Sequence, residues 1–193
     1  MRIKVDIACA NSLRVLRRLR LAPQEAMQPL LQPMCSLRLD PLDPGDADVL
    51  MAQARQLRLV LSAGQGSRLL RGKNLGLLCE TEDADDAILF RLAAQELGAH
   101  VAHIRPSLSG LRSPGLSQYT ARMLGRLYDA VECQGLSPEL VRQVGEEAGV
   151  PVYDGLASPT HPTARLAEPF DAGRPRGESR RLLLQAALMC TLL

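Results

Sequence analysis

The 193-residue sequence is poor in aromatic residues and contains no tryptophan. Aromatic side chains make up 3% of the chain, so its core must be built mainly from leucine, alanine, valine and methionine. Proteins that bind single-stranded nucleic acid stack bases on exposed aromatic rings, so this scarcity argues against that function. The formal net charge of +2 likewise indicates neither a nucleic acid nor a strongly acidic partner.

The five cysteines are widely spaced, and no Cys-x-x-Cys pair occurs. The sequence therefore predicts neither a metal site nor a redox pair, and we expect no cofactor. Buried thiols in a reducing cytoplasm are the simplest interpretation. The N-terminus has no apolar signal-peptide core, and the most apolar stretch, residues 182–193, is too short to cross a bilayer. We therefore expect a cytoplasmic protein without a membrane partner.

The first 35 residues predict a helical N-terminal extension. A short strand-like alternation is followed by a leucine-containing segment with four arginines between residues 14 and 20. Such a basic run usually forms a solvated helix face, and contact with phosphate or an acidic protein is the alternative.

From Asp43 onward, helix and strand patterns alternate regularly. Asp43 before Pro44 is a favourable helix entry, with the carboxylate as N-cap and proline at the first helical position. The predicted helices cover residues 44–62, 84–97, 117–127 and 138–148, and the predicted strands cover residues 75–79, 100–104, 130–133 and 150–153. This alternation predicts an α/β domain of three layers, a mainly parallel four-stranded sheet with helices on both faces.

The end of the chain has two parts. Residues 169–177 are rich in proline and glycine and predict a linker. Residues 178–193 predict a C-terminal helix that is apolar almost all round, so it must be buried against the domain or against another chain.

The turn after the first predicted strand is unusually acidic. Its carboxylates are Glu80, Glu82, Asp83, Asp85 and Asp86. A helix N-terminus at this place in an α/β fold is a natural anion site, yet here carboxylates occupy it. The simplest interpretation puts Asp83 at the N-cap and Asp86 at N3, where they satisfy free N–H groups. A divalent cation held by Glu80, Asp83, Asp85 and Asp86, or a solvated acidic turn, are the alternatives.

Four segments of the chain carry a family resemblance. They read Leu-Arg-Gly-Lys-Asn-Leu-Gly-Leu-Leu at 70–78, Gln-Glu-Leu-Gly-Ala-His-Val at 95–101, Tyr-Thr-Ala-Arg-Met-Leu-Gly-Arg-Leu-Tyr-Asp-Ala at 119–130, and Val-Pro-Val-Tyr-Asp-Gly-Leu at 150–156, followed by His-Pro-Thr at 161–163. In this order and spacing, residues 36–168 resemble the N-terminal, carbamoyl-phosphate-binding domain of aspartate and ornithine carbamoyltransferases. The final helix resembles the family's C-terminal helix, which packs back on that domain. The resemblance implies that a short linker stands in place of the family's amino-acid-binding domain.

The resemblance also implies the positions of a ligand site. The family's phosphate turn, Ser-Thr-Arg-Thr-Arg, falls on Asp83, Ala84, Asp85, Asp86 and Ala87. A further family arginine corresponds to Gln134. The family's His-Pro-x-Gln keeps its histidine as His161, while its glutamine is replaced by Ala164. His161 is then either a residue that caps local structure or a ligand contact.

These replacements decide the functional expectation. A hydrogen bond to a charged group contributes roughly 1.5–3 kcal/mol, so three lost arginine contacts remove about 5–9 kcal/mol if they add. A millimolar ligand is held by only about 4 kcal/mol. We therefore expect a carbamoyltransferase-like protein that is catalytically inactive and acts as a binding or assembly partner.

Two kinds of partner follow from the resemblance. Family catalytic chains form trimers through this domain, which implies a homo-oligomer, with a trimer as the first expectation, or association with a full-length transcarbamylase. The alternative function is a divergent family enzyme, or a small-molecule binder that uses the old cleft and His161.

Overall fold

A computed structural model describes residues 39–64, 69–107, 117–170 and 176–193. The predicted N-terminal extension, residues 1–35, lies outside the described residues. The described elements are helices α1 (Pro44–Ser62), α2 (Asp85–Glu96), α3 (Ser117–Leu127), α4 (Pro138–Ala148), α5 (Ala167–Phe170) and α6 (Arg176–Leu192), a 3-10 helix (Pro162–Leu166), and strands β1 (Asn74–Leu78), β2 (His100–Ile104), β3 (Ala130–Cys133) and β4 (Val152–Asp154).

Local sequence signals set the ends of two helices, and the cap of the first is the predicted one. The Asp43 side chain accepts a hydrogen bond from the backbone N–H of Asp46 at 2.8 Å and caps α1. The Ser137 hydroxyl accepts from the N–H of Leu140 at 3.4 Å and caps α4. Gly149 closes α4 with a φ of +70°, a left-handed conformation that favours glycine.

The four described strands form one parallel sheet in the order β2-β1-β3-β4. The register pairs Leu75 of β1 with Val101 on one side and with Ala130 on the other. The last strand joins through the pairing of Val131 with Val152. The predicted parallel α/β fold is confirmed, and β4 begins two residues later than predicted.

Helices cover both faces of the sheet. Leu78 of β1 and Val131 of β3 share one apolar cluster with Leu124 of α3 and Val144 of α4. On the opposite face α2 packs against β1 and α6, and α6 packs in turn against α1. Because β2 and β3 lie on opposite sides of β1, right-handed crossovers place α2 on one face and α3 on the other.

The C-terminal helix is part of this packing. Nine consecutive residues of α6, from Leu182 to Cys190, are buried. The helix begins at Arg176, two residues before its predicted start, and α5 occupies part of the stretch where a linker is predicted. Residues 171–175 lie outside the described part of the chain. Within the described residues, no helix has the length and apolar character needed to cross a membrane.

Candidate functional site

The strand order places a crevice at the carboxyl ends of β1 and β3. The chain passes outward from β1 to β2 and then returns to β3 on the other side of β1. Open α/β sheets bind their ligands at such a reversal of strand order. The turn after β1, the end of β3, the loop after β4 and one residue of α6 all meet at this crevice.

The acidic turn does not cap α2 in the predicted way. The N-cap residue is Ala84, which makes no side-chain cap hydrogen bond, and Asp85 and Asp86 occupy the first turn. The prediction of Asp83 as N-cap and Asp86 as N3 is therefore wrong. The buried side chains of Ala87 and Phe90 set the phase of the helix, and its first backbone bond joins the N–H of Ile88 to the carbonyl of Ala84 at 2.9 Å.

The other two carboxylates of the turn are held by neighbouring elements. Glu80 accepts hydrogen bonds from the backbone N–H of Ser107 at 2.9 Å and from its hydroxyl at 2.8 Å. Glu82 lies 3.9 Å from the guanidinium of Arg91 and 3.5 Å from Nδ1 of His103. Across the described ranges, no three His, Cys, Asp or Glu side chains are grouped so that they could hold a metal ion.

A cation from the last helix enters the crevice. The Arg180 side chain is 9% exposed, and its guanidinium donates to the carbonyls of Leu156 at 2.6 Å and Ser158 at 2.9 Å. A third bond runs to the hydroxyl of Thr163 at 2.8 Å. Burial lowers the pKa of Arg180, while the charges of Glu132 and Asp86 raise it. Arg180 thus places a positive group in the crevice, and protein acceptors bind it.

Glu132 is the most deeply buried carboxyl group of the site. It is fully buried in β3 and accepts hydrogen bonds from the N–H groups of Leu156 and Ala157, each at 3.2 Å. Burial raises its pKa to about 8, against the lowering effects of these bonds and of the Arg180 charge. Gln134, in the family's arginine position, donates from its side-chain amide to Glu132 at 3.2 Å.

Asp86 faces the same cation from α2. Burial raises its pKa, and the Arg180 charge together with a hydrogen bond from Ser158 partly offsets that effect. Asp83, Ala84 and Asp85 are exposed beside it, whereas Ala87 is completely buried. An arginine side chain at position 87 would therefore have to enter the core.

His161 begins the 3-10 helix. Its Nδ1 accepts from the backbone N–H of Thr163 at 3.2 Å and lies 2.9 Å from the hydroxyl of the same residue. Since Arg180 donates to that hydroxyl, the hydroxyl proton is free to point at Nδ1, and the ring proton then sits on Nε2. Burial lowers the pKa of His161 to about 4. The Nδ1 side of the ring therefore caps local structure.

Ala164 is a predicted site residue, whereas the buried Glu132 and Arg180 were not predicted. The N–H of Ala164 donates to the carbonyl of His161 at 2.9 Å, and its methyl group supplies no polar contact. Sequence reasoning missed Glu132 and Arg180. A glutamate inside the otherwise apolar strand Ala-Val-Glu-Cys was the available signal for the first. For Arg180, nothing in the local pattern distinguishes it from the adjacent Arg181, which is only half-buried.

The fold and the site together define an α/β domain whose crevice lies at a topological switch point, and comparison with known proteins gives its class. The family model of the aspartate/ornithine carbamoyltransferase carbamoyl-P binding domain matches residues 36–172. The chain therefore belongs to the aspartate/ornithine carbamoyltransferase family.

Individual relatives agree with this assignment. The chain is 39% identical over 119 residues to an ornithine carbamoyltransferase of Actinobacillus pleuropneumoniae, an alignment that covers 62% of this chain and 36% of the relative. It superposes on an ornithine carbamoyltransferase from Pyrococcus furiosus with a TM-score of 0.60 at 26% identity, covering 73% of this chain and 45% of that one. The catalytic subunit of M. jannaschii aspartate transcarbamoylase shares the fold, with a TM-score of 0.56 at 20% identity over 70% of this chain and 45% of that one.

The match spans only part of these proteins. The chain covers 36% of the length of the curated relative and just under half of each solved structure. The family assignment thus rests on the carbamoyl-phosphate-binding domain.

Proposed function

We propose that this chain is a member of the carbamoyltransferase family that does not transfer carbamoyl groups and acts through assembly with other protein chains. The observation that carries the proposal is the chemistry of the crevice. Carboxylates occupy the family's phosphate turn, and Gln134 stands where the resemblance implies an arginine.

The hydrogen bonds of Arg180 support the same interpretation. Its guanidinium donates to oxygens of Leu156, Ser158 and Thr163, so this cation is already engaged within the chain. An incoming phosphate would have to displace these acceptors and approach the carboxylates of Asp85 and Asp86. Carbamoyl transfer needs positive groups that stabilise negative charge on the leaving phosphate. The carboxylates of this crevice would repel that negative charge.

An exposed apolar stripe on α3 supports assembly with another protein chain. Tyr119, Met123 and Leu127 are spaced by four residues and are 67%, 41% and 58% exposed. Residues at this spacing share one helix face, and contiguous exposed apolar groups usually mark an interaction surface. A second copy of this chain is the proposed occupant, with a trimer as the first expectation and a full-length transcarbamylase as the other partner.

Light scattering at micromolar concentration tests the assembly. We expect a mass of two or more chains, above the 21.0 kDa of the monomer, and we expect Met123→Lys to shift the mass toward the monomer. Leu59→Lys is the matched control, because Leu59 is 68% exposed on α1 and lies outside the stripe. A mass of one chain for the native protein, together with no co-purification with a full-length transcarbamylase, would refute the assembly.

A further inference from the structure

A cavity of about 480 Å³ lies beside the outer edge of β4. Its walls come from β4, from α4 and from the last turn of α6, where Thr191 bonds the Tyr153 hydroxyl. None of residues 83–87 lines it, and neither does Gln134. The cavity is therefore separate from the phosphate turn of the family.

Two carboxylates line this cavity. Asp40 is exposed and Asp154 is half-buried, and neither carboxylate makes a hydrogen bond or ion pair with another described residue. Burial raises the pKa of Asp154, and the negative charge of Asp40 raises it further, so the two groups are close enough to repel each other. One cation, Arg142, also lines the cavity, but its guanidinium is paired with Glu146 and lies 3.6 Å from Glu139.

A buried donor completes the polar lining. The His161 ring is 5% exposed, lines the cavity and uses Nδ1 as the acceptor for the N–H of Thr163. The proton of the neutral ring is thus on Nε2, and the bonds between His161 and the other described residues all use Nδ1. The cavity therefore presents two negatively charged hydrogen-bond acceptors and one N–H donor.

The rest of the lining suits a short hydrocarbon chain. Val141, Pro151 and Val152 supply apolar wall between the polar groups. Pockets of a few hundred cubic ångströms that combine apolar wall with a few convergent polar groups are typical of small-molecule sites. A bare metal ion fits less well, because no three suitable ligands converge in the described part of the chain.

We propose that this cavity binds a small organic cation, with a primary ammonium group between Asp40 and Asp154 and an oxygen acceptor on the Nε2–H of His161. The ammonium group relieves the repulsion between the two carboxylates and supplies the donors that both of them need. The acceptor satisfies a ring N–H that has no partner in the described chain.

Isothermal calorimetry with 4-aminobutan-1-ol tests this site on the full chain. We expect saturable binding of one molecule per chain at millimolar concentration, weaker binding of butylamine, which has no oxygen, and no binding of butane-1,4-diol, which has no charge. Asp154→Asn and Asp40→Asn should each weaken binding by about tenfold or more, because each removes a charge-assisted hydrogen bond.

Asp48→Asn is the matched control, since Asp48 is exposed on α1 and does not line the cavity. It should leave the affinity unchanged. Absence of saturable binding to the native chain would overturn the proposal. Binding of the diol as tight as that of the amine would do the same, as would unchanged affinity in a folded Asp40→Asn or Asp154→Asn chain.

Discussion

At the scale of single residues, the crevice is organised by a cation that comes from far away in the sequence. Arg180 joins the loop after β4 to the 3-10 helix by its bonds to Leu156, Ser158 and Thr163. It lies about ninety residues along the chain from Asp86, whose charge it faces. Burying a cation is costly unless acceptors satisfy it, so this contact stabilises one arrangement of the crevice.

Replacement of Arg180 by methionine should destabilise the protein. It removes three hydrogen bonds and leaves buried acceptors unsatisfied, so we expect a loss of about 3–5 kcal/mol in the free energy of unfolding. The matched control is Arg181→Met, because Arg181 is 36% exposed and makes one surface pair with Glu96 at 3.2 Å. That change should cost no more than about 1 kcal/mol. Equal effects of the two changes in urea unfolding would contradict the role given to Arg180.

Glu132 gives the protein a characteristic dependence of stability on pH. Its pKa is raised from 4.5 to about 8 in the folded chain. Its contribution to stability is therefore fully present below pH 4.5 and is lost as the pH rises through 8. The pKa of His161 is lowered from 6.5 to about 4 in the folded chain, so its effect is opposite: between pH 4 and 6.5 it makes stability rise with pH. The range from pH 6.5 to 8 therefore reports on Glu132.

Comparison with Glu132→Gln isolates this effect. Between pH 6.5 and 8, the free energy of unfolding of the native chain should fall relative to that of the variant by about 1.4 kcal/mol per pH unit, roughly 2 kcal/mol in all. Urea unfolding at several pH values measures it. Parallel curves for the two proteins would mean that Glu132 is ionised in the folded chain throughout this range.

At the scale of elements, the sequence predicts what depends on neighbouring residues. Asp43, Ser137 and Gly149 mark helix ends by their own chemistry, and the predicted strand 100–104 coincides with β2 because its pattern is local. The start of α2 was predicted wrongly by the same reasoning. Several carboxylates in succession offer more than one N-cap, and the choice is made by the burial of Ala87 and Phe90 in the core.

The corrected start of α2 changes what its aspartates should contribute. Asp85 is in the first turn, where its negative charge interacts favourably with the positive end of the helix dipole. Asp85→Asn should therefore lower the free energy of unfolding by about 0.3–1 kcal/mol. Asp83 lies outside the helix and does not cap it, so Asp83→Asn should have a smaller effect. Thermal unfolding at low ionic strength compares the two exposed positions. A larger loss for Asp83→Asn would restore it as the N-cap.

At the scale of the whole molecule, the fold was predictable from the sequence. The side chains that occupy its crevice were not. Alternating strands and helices specify a parallel sheet, and the order of strands then fixes where the switch point lies. The carbonyl, hydroxyl and carboxyl groups around Arg180 come from β3, α2, the loop after β4 and the 3-10 helix. No local periodicity records such long-range contacts, so the sequence indicated the loss of family arginines but not the residues that occupy the site.

The most direct test of the central claim is a calorimetric titration of the native chain with carbamoyl phosphate. Carboxylates in the phosphate turn, Gln134 in an arginine position and an Arg180 engaged by protein oxygens all predict no saturable binding below about 1 mM, the affinity that roughly 4 kcal/mol supports. Saturable binding at or below that concentration, accompanied by a rise in melting temperature that follows mass action, would contradict the account.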